Sequence, residues 1–244
     1  GLTTGRYRYL KRILGDYADK CCSSEPILQR IRSIKTSEEL AAVRKAVEMT
    51  LEIYDEVFAQ LRPGLTEYQI GQMFVEGMSR RGVTAAATKD LSMPIVMKER
   101  IAHRDPGDAV LQPGDFLIMD FGIDYMGYCS DISRTAYFLK PGETDAPERF
   151  RMLFDAAYHA ISEAFAVAKP GVKGYEVDQA ARSYLVSRGL PEITHATGHQ
   201  IGRAEHDGGM MFAPKWKRYG DAPYGTVEKD MLFTLEPTIL LEEG

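Results

Sequence analysis

Two aspartates, Asp120 and Asp131, have the spacing of paired carboxylates within one short segment of the chain. An apolar run leads to Asp120, and residues 124–127 have the composition of a tight turn. Together these features predict a β-hairpin. With its centre between Tyr125 and Met126, the hairpin would place the two aspartates opposite each other, with their Cβ atoms about 5 Å apart on one face.

Two carboxylates held this close on a largely buried strand repel each other, so either one stays protonated or a cation lies between them. A metal site is the simplest interpretation. The alternative is that one aspartate caps the turn while the other reaches solvent. The pair alone does not decide between these interpretations.

Further candidate ligands lie in the last fifth of the chain. His195, His199 and His206 fall within twelve residues among several glycines, and Glu236 interrupts an apolar stretch at 231–241. A histidine satisfied by hydrogen bonds in the core is the ordinary alternative for each of the three. A buried glutamate, however, is costly unless it is paired or bound to a metal. Carboxylates with one imidazole suit Mn²⁺, Fe²⁺, Co²⁺ or Zn²⁺.

The elements that must position these residues are repeated along the chain. Residues 62–70 match residues 169–177 at an offset of 107, and the match continues into the Arg-Gly pairs at 81–82 and 188–189. This repetition predicts two halves of similar build. In each half a long helix, a Pro-Gly turn and a second helix precede strand-like stretches.

The predicted helices run from Ser37 to the turn at Pro63, and over Glu67–Arg80, Pro147–Val167 and Gly174–Ser187. The predicted strands are Ser92–Met97, Phe116–Gly122, Tyr128–Phe138, Thr194–Ile201 and Met231–Leu241. The pattern favours an α+β fold in which helices cover one curved mixed sheet.

Composition excludes several classes of function. The net charge of -5 and pI near 5.6 argue against binding to nucleic acid, and no apolar run approaches the length of a membrane span. Three cysteines, two of them adjacent, form no disulfide framework and favour a reducing compartment. We therefore expect a cytoplasmic protein without a nucleic-acid or membrane partner.

Taken together, the motifs resemble those of the metallopeptidases of the methionine aminopeptidase, prolidase and aminopeptidase P group. The resemblance begins near Ile34, as in Xaa-Pro peptidases, and implies the pita-bread fold with its duplicated halves. It depends on the aspartate pair followed by Ser133-Arg134-Thr135, on His195-x3-His199-x-Ile201-Gly202, and on Thr234-Leu235-Glu236-Pro237.

The resemblance also implies a role for each candidate residue. Asp120, Asp131, His199 and Glu236 would bind two divalent metal ions (Mn, Co, Fe or Zn), and Glu236 would also accept a proton from the attacking water. The histidines His103 and His206 would act in catalysis, and His195 would bind substrate.

The implied activity is hydrolysis of a peptide bond near a free N-terminus, with Xaa-Pro bonds preferred, by a homodimer acting on short peptides or dipeptides. Residues 1–33 are interpreted as a remnant or linker of an N-terminal domain, and residues 34–244 as a catalytic domain incomplete at its C-terminus. The family's fifth ligand, a glutamate further along, is missing, so the second metal site is expected to be incomplete. Two alternatives stay open: the same fold acting on a small non-peptide molecule as an amide hydrolase or lyase, and a non-catalytic peptide-binding module.

Overall fold

Long helices alternate with short strands along the chain. A computed structural model describes residues 3–86, 93–98 and 104–241. The helices are α1 (Thr4–Leu14), α2 (Glu25–Ser33), α3 (Ser37–Phe58), α4 (Glu67–Arg81), α5 (Glu148–Val167) and α6 (Gly174–Ser187). The four helices predicted for the two halves are therefore confirmed to within a few residues.

The strands form small antiparallel sheets. They are β1 (Thr84–Ala85), β2 (Ile95–Lys98), β3 (Phe116–Phe121), β4 (Ile123–Tyr125), β5 (Tyr128–Cys129), β6 (Ile132–Tyr137), β7 (Gly198–His199) and β8 (Met211–Phe212). Their orders are β1-β4-β5, β2-β3-β6 and β7-β8. Over the described residues the prediction of one curved mixed sheet is thus replaced by three short antiparallel ones.

The hairpin forms as predicted, but its register differs. Tyr125 pairs with Tyr128, and the two central turn residues, Met126 and Gly127, both have positive φ (55° and 79°). This is the backbone of a type I′ turn, whose twist matches that of the flanking strands. The side chain of Asp124 fixes the turn by accepting a hydrogen bond of 2.7 Å from the Gly127 amide.

The prediction that Asp120 lies directly opposite Asp131 is therefore wrong. The turn centre lies one residue later than expected, so Asp120 pairs with Ser133. The ladder is also interrupted beside Asp131, where Gly122 passes so close to Ser130 that an added Cβ would lie 1.9 Å from its carbonyl oxygen. A one-residue shift of the centre keeps every side chain on its face, so the two aspartates become diagonal neighbours instead of direct partners.

Each half of the molecule has its own apolar core. In the first half α3 and α4 pack against β3 through side chains such as Ile53, Phe74 and Leu117, all fully buried. In the second half α5 and α6 pack together through Ala160 and Leu185.

The backbone repeats as well as the sequence. Gly64 and Gly171, which are 107 residues apart, have φ of 94° and 96°, and each glycine is followed two residues later by an isolated antiparallel bridge. Two halves of similar build are therefore present.

The second half has less regular strand than predicted. Of the stretch 194–201 only Gly198 and His199 are assigned as strand. The reason is that the carbonyl oxygens of Ile193 and His195 and the amide of Thr197 bond to side chains of α6 instead of to a neighbouring strand. Residues 197–201 and 232–236 still pair as an antiparallel ladder, with Thr234 N donating to His199 O at 2.9 Å.

The N-terminal helices lie largely at the surface. None of the residues of α1 is buried, and Ser33 is the buried residue of α2. The end of α2 contacts the rest of the chain through Arg32, which pairs with the buried carboxylate of Asp207. Within the described ranges no helix has both the length and the apolar character needed to cross a membrane.

Candidate metal site

His199 lies at the centre of a cluster of three possible metal ligands. Its Nε2 atom is 3.0 Å from Glu236 Oε1 and 3.3 Å from Asp131 Oδ2. Ligand atoms of the three side chains all lie within 4.8 Å of one another. The other ring nitrogen, Nδ1, lies 3.1 Å from the carbonyl oxygen of Gln200. When Nδ1 donates to this carbonyl, Nε2 is the nitrogen directed at the carboxylates.

Two backbone hydrogen bonds bring these three residues together from distant parts of the chain. Cys129 N donates to Gly202 O at 2.7 Å, which ties the hairpin that carries Asp131 to the loop after His199. Glu236 N donates to Thr197 O at 2.8 Å, which fixes Glu236 beside the His199 strand. The Glu236 carboxylate also accepts a hydrogen bond of 2.8 Å from the Thr234 hydroxyl.

Asp120 lies beside this cluster on β3, the central strand of its sheet. Burial raises the pKa of Asp120 to about 7, and the negative charges of Asp131 and Glu236 add to the effect. The predicted repulsion between the two aspartates is therefore present despite the change of register. Behind them the buried Tyr54 hydroxyl lies 2.9 Å from Met119 O and 2.7 Å from Ile132 O, which holds β3 against β6.

The histidine at the centre is held in its charged form. Burial alone would lower the pKa of His199, but hydrogen bonds to Asp131 and Glu236 raise it to about 10. Glu236 responds in the opposite direction. Burial would raise its pKa, whereas the hydrogen bond from His199 and the positive charge of the imidazolium lower it below the ordinary value. A divalent cation bound at this position would compensate the charge of the same carboxylates.

The other predicted histidines differ in position. The ring of His206 stacks on that of His199, with centroids 3.8 Å apart and planes at 17°. The Nδ1 atom of His195 is 2.7 Å from Ala196 O, its Nε2 bonds the Thr238 hydroxyl, and its charge contributes to the low pKa of Glu236. His103 lies outside the described residues.

One acidic residue at this site was missed by the sequence analysis. Glu205 is half-buried, and its pKa is raised to about 7 by burial and by the charges of Asp131 and Asp120. The available signal was its place directly before His206. An acid in a polar loop gives no other indication that it faces carboxylates from another segment, since that proximity depends on tertiary structure.

Comparison with known proteins decides the family. A family model described as metallopeptidase family M24 matches residues 41–244. The chain belongs to metallopeptidase family M24. A curated relative, the uncharacterized peptidase YqhT of Bacillus subtilis (strain 168), is 27% identical over 243 residues. That alignment covers 99% of this chain but 64% of the relative, so the chain spans less than two thirds of the length of that protein.

Solved structures identify the fold of this M24 chain. The dipeptidase PepE of Mycobacterium ulcerans matches with a TM-score of 0.83 and 26% identity, over 99% of this chain and 61% of that one. The Xaa-Pro dipeptidase of Bacillus anthracis matches with a TM-score of 0.80 and 25% identity, over 98% and 63% of the two chains. The pita-bread α+β fold expected from the sequence is confirmed.

The donor set fits the divalent cation that M24 enzymes use. Asp131 and Glu236 offer carboxylate oxygens, and His199 offers an imidazole nitrogen whose partner nitrogen is already bonded to a backbone carbonyl. Such a mixture of hard oxygen and borderline nitrogen ligands suits first-row divalent metals. Asp120 lies outside this group of three, and its raised pKa marks it as a carboxylate that a nearby cation would ionise.

Proposed function

We propose that this chain is the catalytic part of a metal-dependent peptidase that hydrolyses a peptide bond near the free N-terminus of a short peptide, with Xaa-Pro bonds preferred. The observation that supports this most directly is the position of His199 Nε2, which is 3.0 Å from Glu236 and 3.3 Å from Asp131. The M24 family and the fold of known dipeptidases supply the reaction class.

Asp131, His199 and Glu236 would hold the metal, and Asp120 would complete the ligand set once it is ionised. When bound, divalent cations lower the pKa of a water molecule and polarise the substrate carbonyl. Glu236 would take the proton from that water, because its carboxylate belongs to the cluster that would hold the metal and its side chain is 39% exposed.

The histidines beside the cluster would act on the substrate. His206, which stacks on His199 and is exposed, would donate a hydrogen bond to an oxygen that gains charge during hydrolysis. His195 lies close enough to Glu236 to affect its pKa, and would line the substrate pocket. His103 is proposed as a further catalytic residue on the family pattern alone.

The preference for Xaa-Pro bonds is supported by two likenesses. The segment from Ile34 to Leu40 resembles the start of the catalytic domain of Xaa-Pro peptidases, and the Bacillus anthracis enzyme with a TM-score of 0.80 is an Xaa-Pro dipeptidase. Substrate choice depends on the residues of the site and not on the fold, so a substrate panel tests this preference directly.

The test combines metal removal with such a panel. Metal-stripped protein would be assayed before and after addition of Mn²⁺ on Ala-Pro, Ala-Ala and a small non-peptide amide. We expect Mn²⁺-dependent cleavage, with the highest kcat/KM for Ala-Pro. The variant His199→Asn should lose it, whereas His159→Asn, which removes the ring of a helix histidine that contacts Tyr158 and Tyr184, should not.

Each other result has a distinct meaning. Equal cleavage of Ala-Ala and Ala-Pro would keep the peptidase but remove the Xaa-Pro preference. Cleavage of the amide alone would favour the non-peptide hydrolase. Wild-type protein that binds no Mn²⁺, or full activity in His199→Asn, would refute the metal-dependent mechanism.

A further inference from the structure

A buried ion pair on α6 lies behind the candidate metal site. Arg182 Nε is 2.9 Å from Asp178 Oδ2, and Arg182 Nη2 is 3.0 Å from Asp178 Oδ1. The two side chains are 5% and 1% exposed. A bidentate pair of this kind needs further hydrogen bonds to offset the loss of water around both charges, and the neighbours of this pair supply them.

All of these further bonds to the backbone go to the segment that leads into His199. Arg182 donates to the carbonyl oxygens of Ile193 and His195, the latter at 3.0 Å. Asp178 Oδ1 accepts from the amide of Thr197 at 3.2 Å and from its hydroxyl at 2.8 Å. The ion pair thus holds every second residue of this segment in place, at Ile193, His195 and Thr197.

Thr197 extends the same connection to a second predicted ligand. Its carbonyl oxygen accepts the hydrogen bond of 2.8 Å from Glu236 N, while its amide and hydroxyl bond to Asp178. Thr197 is fully buried, so water cannot replace these bonds when one is removed. A displacement of Thr197 would therefore move both His199, two residues later, and Glu236.

We propose that Asp178, Arg182 and Thr197 are positioning residues that set the geometry of the metal ligands His199 and Glu236. This inference rests on the proposed function for the metal itself, but the connection through hydrogen bonds does not depend on a metal. Residues that orient ligands from behind typically change metal affinity by about 10-fold to 100-fold when they are replaced.

The experiment uses Co²⁺ as the probe, because its visible absorption bands report the arrangement of its ligands. In the full chain, Asp178→Asn is expected to weaken Co²⁺ binding about tenfold or more and to change the spectrum of the bound ion. Thr197→Val, which keeps the shape but removes the hydroxyl, should act in the same direction with a smaller effect. Thr197→Ser should restore wild-type binding.

A matched control separates positioning from general stability. Glu56→Gln breaks the ion pair between Glu56 and Arg81, which joins α3 to α4 at 2.7 Å in the other half of the molecule. It should lower the melting temperature without altering Co²⁺ affinity or spectrum. If Asp178→Asn does not fold, Thr197→Val and Thr197→Ser carry the comparison.

Amide hydrogen exchange provides a readout that needs no metal. In Asp178→Asn or Thr197→Val the amides of Thr197 and Glu236 should exchange at least about tenfold faster than global unfolding explains, while amides of α4 stay at the wild-type rate. Wild-type Co²⁺ affinity and spectrum together with unchanged exchange in both variants would overturn the proposal. Wild-type protein that binds no Co²⁺ would refute the proposed function, and the exchange rates alone would then decide the positioning role.

Discussion

Binding of a divalent metal is expected to release protons from this protein in an amount that depends on pH. In the metal-free protein the pKa of His199 is raised to about 10, and those of Asp120 and Glu205 are raised to about 7. His199 and Asp120 must lose their protons before or as a cation binds, because only the neutral imidazole and the carboxylate are ligands. Glu205 is not a proposed ligand, but a cation nearby favours its ionised form. The number of protons released therefore reports how many of these side chains are protonated in the metal-free site.

The expected amount follows from the fraction of each group that is protonated. At pH 7 His199 would release about one proton and Asp120 about half a proton, so about 1.5 protons leave, or about 2 if Glu205 also ionises. Of these side chains only His199 still contributes at pH 9, and the number of protons that they release falls to about 0.9. The logarithm of the metal affinity should rise with pH by the same number per pH unit.

The assay is calorimetric titration of metal-stripped protein with Mn²⁺ in several weakly coordinating buffers of different ionisation enthalpy. The slope of the observed enthalpy against the ionisation enthalpy of the buffer gives the number of protons released. Asp120→Asn should reduce this number at pH 7 by about 0.5 and leave it unchanged at pH 9. Binding with no proton release, or with an affinity that does not change between pH 6 and 9, would refute this account of the cluster.

Three further predictions concern stability and turnover. In the metal-free protein, the raised pKa of Asp120 contributes stability that is fully present below pH about 4 and is lost as pH rises through about 7. The urea midpoint of the wild-type protein should therefore fall between these pH values, and in Asp120→Asn this fall should be smaller. Glu236→Gln should abolish Ala-Pro hydrolysis and weaken Mn²⁺ binding. His206→Asn should lower kcat about 100-fold with little change in Mn²⁺ affinity. Equal, mild effects of the two substitutions would contradict these roles. Gly122→Ala should lower the free energy of unfolding in urea by about 3 kcal/mol, because its Cβ would lie 1.9 Å from a carbonyl oxygen. Gly5→Ala should cost nothing, because among the described residues no atom outside its own stretch of helix lies within 4 Å of the added Cβ. Equal stability of the two variants would contradict the close approach at Gly122.

The helices could be predicted because their signals are local. Thr36 and Thr66 each form a capping box with the residue three positions later, and these motifs are visible in the sequence before any contact is known. The Pro-Gly turns at 63–64 and 170–171 mark the ends of the long helices in both halves. Apolar spacing then predicts which face of each helix enters the core.

The hairpin shows where local signals stop being sufficient. Residues 124–127 indicated a tight turn, yet the centre of the turn was one residue later than expected, because Gly127 and Met126 together adopt the positive φ values of a type I′ turn. That difference changed the partner of Asp120 from Asp131 to Ser133. Each side chain stays on the predicted face of its strand. The prediction that the two carboxylates interact therefore does not depend on the exact register.

The sequence by itself determined the residue types of the site, namely carboxylates and an imidazole in an order typical of one metallopeptidase family. Tertiary structure decided which of them meet. Asp131, His199 and Glu236 converge because Cys129 bonds Gly202 and Glu236 bonds Thr197 across distant segments, and such long-range pairing leaves no local pattern.

The same reason explains the residues that were missed. Glu205 interacts with the cluster only through space, and its loop position resembles that of any solvated acid. Asp178 and Arg182 have the i, i+4 spacing common on exposed helix faces, so only their burial reveals that they hold the segment that leads to His199. The residue types can be read along the chain, but burial and proximity arise only when distant segments of the folded chain come into contact.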